Sequence, residues 1–477
     1  MTSPTHFRYL SVLRKLFHWN LAFGSLLTCL VVGDHPSDSW SSQTGAGWPV
    51  QWGLRNGKPV PVHYTLDPKI DLKLLQPAFR VLPILALKLD PADLLDPSRG
   101  IYSNPMEQGE LWERPVQARW FPVSGTNGFT ISCGIRIQGG WNRRPEESPK
   151  HSLRLIFRNQ YGAKALKFPL FEGQPSTFNT LILRGGNNNS WLHWSGEERH
   201  RADYLRDEWM RQTYAAMGHL SARGRFVHLS INDLYWGIYN LTERPDAHFA
   251  ASHLGGKPKD WDARNGDKIV SGDATAWKQL FALAPRASEP EIWAKIIPLL
   301  DVEAFVDYMI LNLYGANGDW DGSSNWYSGR RRKPAGGQLF FIWDGERTLE
   351  GLSDTRLKEE SEGSPSWLFQ RLRLNSAFKD TFRLRAARHL NLGGALSPIV
   401  AGGRFKELAD QLAPAMVAEA ARWGNYRATV DSYKTGPFEY YSVEEHWKPE
   451  ISRLLRTYFP ARTDIFSRQL GEAGLLP

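Results

Sequence analysis

The sequence predicts an α+β protein with two lobes, a β-rich part first and a mainly helical part after it. Three observations carry that expectation. Between about residue 81 and residue 243, apolar residues alternate with period two in several short runs. From Asp301 onward they recur at helical spacing instead. A chain of 477 residues is also too long for one compact core, while 42% hydrophobic and 23% charged residues are ordinary for a folded protein.

Along the chain, residues 1–33 stand apart. Arg8, Arg14 and Lys15 precede the uncharged run "LAFGSLLTCLVV", which leads to Gly33. That is the layout of an export signal, with an uncleaved anchor as the alternative. The run is short for a membrane span. Cleavage after Gly33 would leave Cys133 as the sole cysteine, so no internal disulfide could form. It would also remove three positive charges and lower the net charge from +8 to +5. Such a mild basic excess marks no nucleic-acid surface. Residues 34–80 are rich in Pro, Gly, Ser and Trp without periodicity and read as an arm or linker.

The β-rich lobe spans 81–245. "RVLPILALKL", "VQARWFPV" and "GFTISCGIRIQGG" read as strands, the last with Ile131, Cys133, Ile135 and Ile137 on one face. "PKHSLRLIFRN" and "FNTLILRGG" extend the sheet. One amphipathic helix follows in "RADYLRDEWMRQTYAAMGHL", stopped by Gly218. Two more strands, "RFVHLSI" and "LYWGIYNLTE", flank a tight "ND" turn, and Glu243 opens the connection to the second lobe.

The helical lobe spans 246–477. It contains "DVEAFVDYMILNLYG" with Asp301 as N-cap, and further helical segments near 377–389, 404–422 and 443–458, the last opened by the capping pattern Ser442 and Glu445. A single β interruption is expected there: "NWYSG", the basic turn "GRRRKPAGG" as a solvated hairpin tip, and "QLFFIWDGE". No fixed-period repeat is present, which argues against a solenoid.

The chemistry concentrates in "NGDWDGSSNWY", residues 317–327. Asp319 and Asn325 lie six positions apart on a loop after a helix, and the hairpin returns to Asp344 at the end of an apolar strand. Phosphoryl transfer needs a carboxylate to orient the acceptor hydroxyl and oxygen ligands for Mg²⁺. The order of helix, Asp loop with Asn, hairpin and strand-end Asp-Gly is that of the C-terminal lobe of protein kinases. Asp and Asn also favour turns by bonding their own backbone, and Asp321 reads as the turn residue.

On "GIRIQGGWNRRPEESPKHSLRLIFR", "LILRGG", "YLRDEWMRQTYAAMG", "LSINDLYWGIYNLTERPD", "NGDWDGSSNWY" and "FFIWDGE", the chain resembles the spore coat protein H (CotH) kinase-like family from about residue 81 to 475. The resemblance implies an atypical protein kinase of secreted or cell-surface proteins, using ATP and Mg²⁺ to phosphorylate a hydroxyl of an acceptor protein. It implies Asp319 as catalytic carboxylate, Asp344 as metal ligand and Asn325 as a second one, though the step from Asp319 to Asn325 is one residue longer than usual. It also implies Lys150 as the lysine on the ATP phosphates, paired with Asp207 or Glu208, of which Asp207 is preferred. Arg184 is a candidate phosphate contact, and Glu243 a candidate nucleotide contact at the lobe connection. The bland readings are a surface charge for Lys150, a strand-end arginine for Arg184 and a solvated hinge charge for Glu243.

No HExxH, Cys/His cluster, P-loop or nucleophile elbow occurs, which removes zinc hydrolysis and P-loop chemistry. The competing classes are a glycoside hydrolase using Asp319 and Asp344 as its two carboxylates, and a non-catalytic envelope binding protein. Twenty tryptophans favour both, although Trp209 and Trp236 fall at core-like positions. The expected location is secreted, periplasmic or in the cell envelope, with membrane contact only through residues 1–33 and no nucleic-acid partner.

Overall fold

The computed structural model describes residues 36–42, 48–125, 127–322 and 324–476. The expected leader lies outside them. The chain is mixed α+β, with 41% helix and 19% strand, and Pro36–Pro477 forms one compact unit. Among the described residues no helix is long and apolar enough to cross a membrane.

The alternating runs close into a seven-stranded barrel. Its order is Gly224–Ile231, Leu234–Glu243, Thr180–Arg184, Ser152–Ile156, Phe129–Gln138, Arg114–Phe121 and Ile84–Lys88, which returns to the first strand. Only that closing pair is parallel; the others are antiparallel. Period-two patterning explains the interior: Cys133, Ile135, Leu153, Leu155, Leu183, Val227 and Leu229 are all buried in one core. The expected "ND" turn is present, with Asn232 and Asp233 at φ of 47° and 70°, the left-handed conformation that a two-residue hairpin demands.

A second sheet, ordered Lys268–Ser271, Trp261–Asn265, Trp326–Arg331 and Leu339–Ile342, carries the candidate hairpin. Its first two strands were not expected from the sequence. Their signal was Asn265-Gly266 between short alternating runs, with Gly266 at φ 58°. The helix Val302–Tyr314 is capped by Asp301, which accepts from the Ala304 amide as expected. Ser442 likewise accepts from the Glu445 amide.

Within the stretch that read as an arm, the segments Pro36–Ser42 and Leu72–Ala78 are packed down. Trp40, Leu75 and Phe79 form a buried cluster with Tyr235 and Ala418. Isolated aromatics without periodicity gave no sign of this. The two large cores also draw on both halves of the chain. The helix Arg206–Ala216 sends Trp209, Met210 and Tyr214 into the helical core, while Trp423 and Tyr426 pack into the barrel core. Trp40, Trp191, Trp209, Trp236, Trp320, Trp326 and Trp423 are all essentially inaccessible. They act as core, not as platforms for stacking sugars.

Candidate functional site

The "NGDWDGSSNWY" loop is held by its own polar side chains. Asn317 donates from Nδ2 to Asn312 Oδ1 (3.1 Å) and its Oδ1 accepts from the Asp319 amide (3.3 Å). Asn325, at φ 65°, donates from Nδ2 to the Asp319 carbonyl oxygen. Asp321 accepts from Ser366 Oγ (2.5 Å) and the Ser361 amide (3.2 Å). Asp321 is therefore tied inward as the structural carboxylate, and Asp319 is left at the surface.

The strand Leu339–Ile342 leads to Asp344, whose φ of 62° turns the chain sharply. Gly345 follows because the backbone must pass close to the helix Arg206–Ala216. A Cβ there would lie 2.9 Å from Met210 Cγ. The approach lets the Gly345 amide donate to Asp207 Oδ1 (2.9 Å), docking the turn on the start of that helix.

At the centre sits Arg184. Its Nε meets Asp207 Oδ2 (3.1 Å), and its Nη2 meets Glu346 Oε1 (2.6 Å) and Asp344 Oδ1. Trp343 lies under the guanidinium at 4.9 Å. Strand end, helix start and Asp344 turn thus converge on one cation. Burial alone would raise the Asp207 pKa, but Arg184, Arg211 and the Gly345 amide pull it below its ordinary value. Glu346 is pushed up to about 7, first by burial and then by Asp344 and Asp207, against the pull of Arg184. Asp319 is raised first by desolvation of its carboxyl and then by the charge of Asp344. Arg347, paired with Glu350 (2.5 Å) and Glu198 (3.2 Å), opposes that rise.

Two of the sequence-derived roles are corrected. Lys150 does not pair with Asp207 or Glu208. Its Nζ lies 2.5 Å from Glu419 Oε1, both side chains fully buried, with the rings of Tyr204 and Tyr239 about it. It is not a surface charge. Glu208 bonds Arg211 and Asn240 instead. Glu243 is not a solvated hinge charge facing a nucleotide. It is 3% exposed and holds Arg223 (2.8 Å) and His253 (2.9 Å), away from Asp344.

Asp344, Arg184 and Asp207 are brought together. Glu346, Asn187 and Asn189 were not foreseen. The Asn188 amide donates to Glu346 Oε2 (2.9 Å), and the Oδ1 atoms of Asn187 and Asn189 are buried without a hydrogen-bond donor. The "GGNNNSW" run after Arg184 was the available signal. Asn189 lines a cavity of about 30 Å³ with Arg184, Asp207 and Glu346. That space suits a water molecule, not a nucleotide. A larger concavity, about 560 Å³, lies elsewhere, against Phe171, Glu208, Arg211, Arg223 and Arg225, and includes neither Asp319 nor Asp344.

A family model described as CotH kinase protein matches residues 135–462, more than two thirds of the chain. The chain belongs to the CotH kinase family. The matched span contains every residue of the cluster just described, as well as Lys150 and Glu419. No curated protein matches the chain. As a CotH kinase family member it is kinase-like, and its charged cluster joins elements 184, 207 and 344–346, which are far apart in sequence.

Proposed function

We propose that this chain is an atypical protein kinase with a two-lobed kinase-like arrangement, which transfers the ATP γ-phosphate to a hydroxyl of an exported or cell-surface protein. The observation that carries the reading is the convergence of Asp344, Asp207 and Glu346 on Arg184, with Asp344 just past the apolar strand that follows the Asp319 loop, the order kinases use. The donor set fits a divalent cation. Asp344 and Glu346, which share Arg184, both offer carboxylate oxygens, the ligand type Mg²⁺ selects. Mg²⁺ at Asp344 would neutralise charge on the phosphate oxygens. Asp319, its pKa raised, orients the acceptor hydroxyl and takes its proton. Asn325 fixes the backbone of Asp319. Arg184 is the cation placed to face phosphate, because it contacts three carboxylates that a metal would partly neutralise, whereas Lys150 is paired with Glu419.

Thermal denaturation tests the class. ATP with Mg²⁺ at a hundred times its dissociation constant should add about 2.7 kcal/mol of stability, and oligosaccharides none. Stabilisation by oligosaccharide alone would move the assignment to a carbohydrate-active or carbohydrate-binding protein. Transfer of label from [γ-³²P]ATP to the protein or a generic acceptor tests the reaction itself.

A pH signature follows from Glu346. Its pKa near 7 means that it keeps a proton at slightly acidic pH, where an ordinary glutamate has lost it. A cation at Asp344 favours the ionised form, so the proton must leave on binding. Calorimetry with a preformed Mg²⁺ complex of a non-hydrolysable ATP analogue, in two buffers of different ionisation enthalpy, should show proton release at about pH 6.5 that fades above about pH 8.5. Glu346→Gln should abolish it. An unchanged proton count in that variant would place the linkage elsewhere.

A further inference from the structure

We infer that His200, Glu439 and His446 form a zinc site separate from the kinase-like cluster. The ligand atoms of these three residues all lie within 4.8 Å of one another. The Nε2 atoms of both histidines face the same oxygen, Glu439 Oε1: His200 in direct contact, His446 at 3.3 Å. The imidazole planes are nearly parallel, 17° apart, with centroids 5.4 Å apart. Two imidazoles and a carboxylate converging on one point, with a fourth position open to water, are a donor set and geometry that zinc accepts.

The site stands on a rigid base. His200 ends the short helix Gly196–His200, while Glu439 and His446 come from the C-terminal part of the chain. Arg199, fully buried, binds these parts together. It donates to the carbonyls of His193 (2.7 Å), Thr435 (2.7 Å) and Pro437 (2.8 Å) and to Tyr441 Oη (3.0 Å). Tyr441 in turn packs against both imidazoles, at 5.7 and 4.7 Å. His446 is nearly buried, whereas His200 and Glu439 are 44% and 40% exposed, so the outer two ligands have room to close on an ion.

Proton placement sets the character of the site. The Ser442 amide donates to His446 Nδ1 (3.1 Å), so the neutral ring carries its proton on Nε2, toward Glu439. Zinc on Nε2 requires the other tautomer: the proton moves to Nδ1 and the Ser442 amide loses that acceptor, with no net change in protonation of the ring. The site gives up one hydrogen bond to gain the metal. Its affinity is therefore below that of a closed four-ligand site. A bound ion would pin residues 431–446 to the helix whose Glu198 pairs with Arg347 (3.2 Å).

The probe is zinc itself, with untagged full chain stripped by chelator. Calorimetric titration at pH 7.5 should give one zinc per chain and a higher melting temperature, and Co²⁺ should give the visible bands of a tetrahedral site. His200→Ala and His446→Gln should each weaken zinc binding at least tenfold, and Glu439→Gln should do so while keeping shape and burial. The variant Asp319→Asn/Asp344→Asn should keep full zinc affinity, which separates this site from the kinase-like one. Absence of one-to-one binding by wild type, equal binding by the folded His200→Ala chain, or loss of zinc only in Asp319→Asn/Asp344→Asn overturns the inference.

Discussion

Lys150→Ala should unfold in denaturant with a stability about 3 to 5 kcal/mol below wild type, while its folded fraction still binds ATP and Mg²⁺ as wild type does. The size follows from what is left behind. Lys150 and Glu419 are both wholly buried, 2.5 Å apart, and Glu419 also accepts the Ile238 amide (2.7 Å). Removing the ammonium leaves a carboxylate without its counter-ion in a dry setting, and breaking a buried pair by deleting one partner costs about 3–5 kcal/mol. Burial already lowers the Lys150 pKa despite Glu419, so the pair is held near the limit of what it can compensate. A variant that removes both charges, Lys150→Met/Glu419→Gln, should recover a large part of the loss, since the two sites share one interaction. Equilibrium unfolding of the three proteins measures this. A Lys150→Ala chain as stable as wild type but unable to bind nucleotide would return Lys150 to the phosphate-facing role that the family resemblance implied.

That reversal shows where sequence reading stops. The strands were legible because period-two alternation is local: Leu153 and Leu155 point into the barrel wherever their partners come from. The capping of the helix by Asp301 was legible for the same reason, since donor and acceptor are three residues apart. The Asp319 loop and the Asp344 turn could be located as candidates because polar residues at a helix end and after an apolar strand stand out. Partner choice is different. Lys150 finds a glutamate 269 positions away, and Arg184 gathers Asp207, Asp344 and Glu346 from two later segments. Neither pairing has a periodicity. Lys150 at a strand start and Arg184 at a strand end look alike in sequence and are both buried, and only the partners the fold supplies, one glutamate for Lys150 and three carboxylates for Arg184, tell them apart. The hairpin Trp261–Asn265 and Lys268–Ser271 was hidden for a third reason: its strands are too short to establish a period.

The two carboxylates of the site should respond differently to the same substitution. Asp319→Asn keeps the shape of the side chain and the loop bonds, which run through the Asp319 backbone: its carbonyl accepts from Asn325 and its amide donates to Asn317 Oδ1. Stability and Mg²⁺–ATP binding should therefore stay near wild type, while phosphoryl transfer falls about a hundredfold or more, the scale of a lost general base. Asp344→Asn acts on the metal side. It removes one of three carboxylates from Arg184, lessening the repulsion that pushes Glu346 up to about 7, and it should cost Mg²⁺-dependent nucleotide binding as well as transfer. Because Asp344 also raises the Asp319 pKa, Asp344→Asn should shift the carboxylate that titrates at residue 319 downward, visible as a lower acid limb by NMR of a labelled side chain. Calorimetric titration with Mg²⁺–ATP then separates the two variants, and γ-phosphate transfer groups them together. Equal nucleotide affinity in both would remove Asp344 as the metal ligand, and wild-type transfer by Asp319→Asn would remove Asp319 as the base.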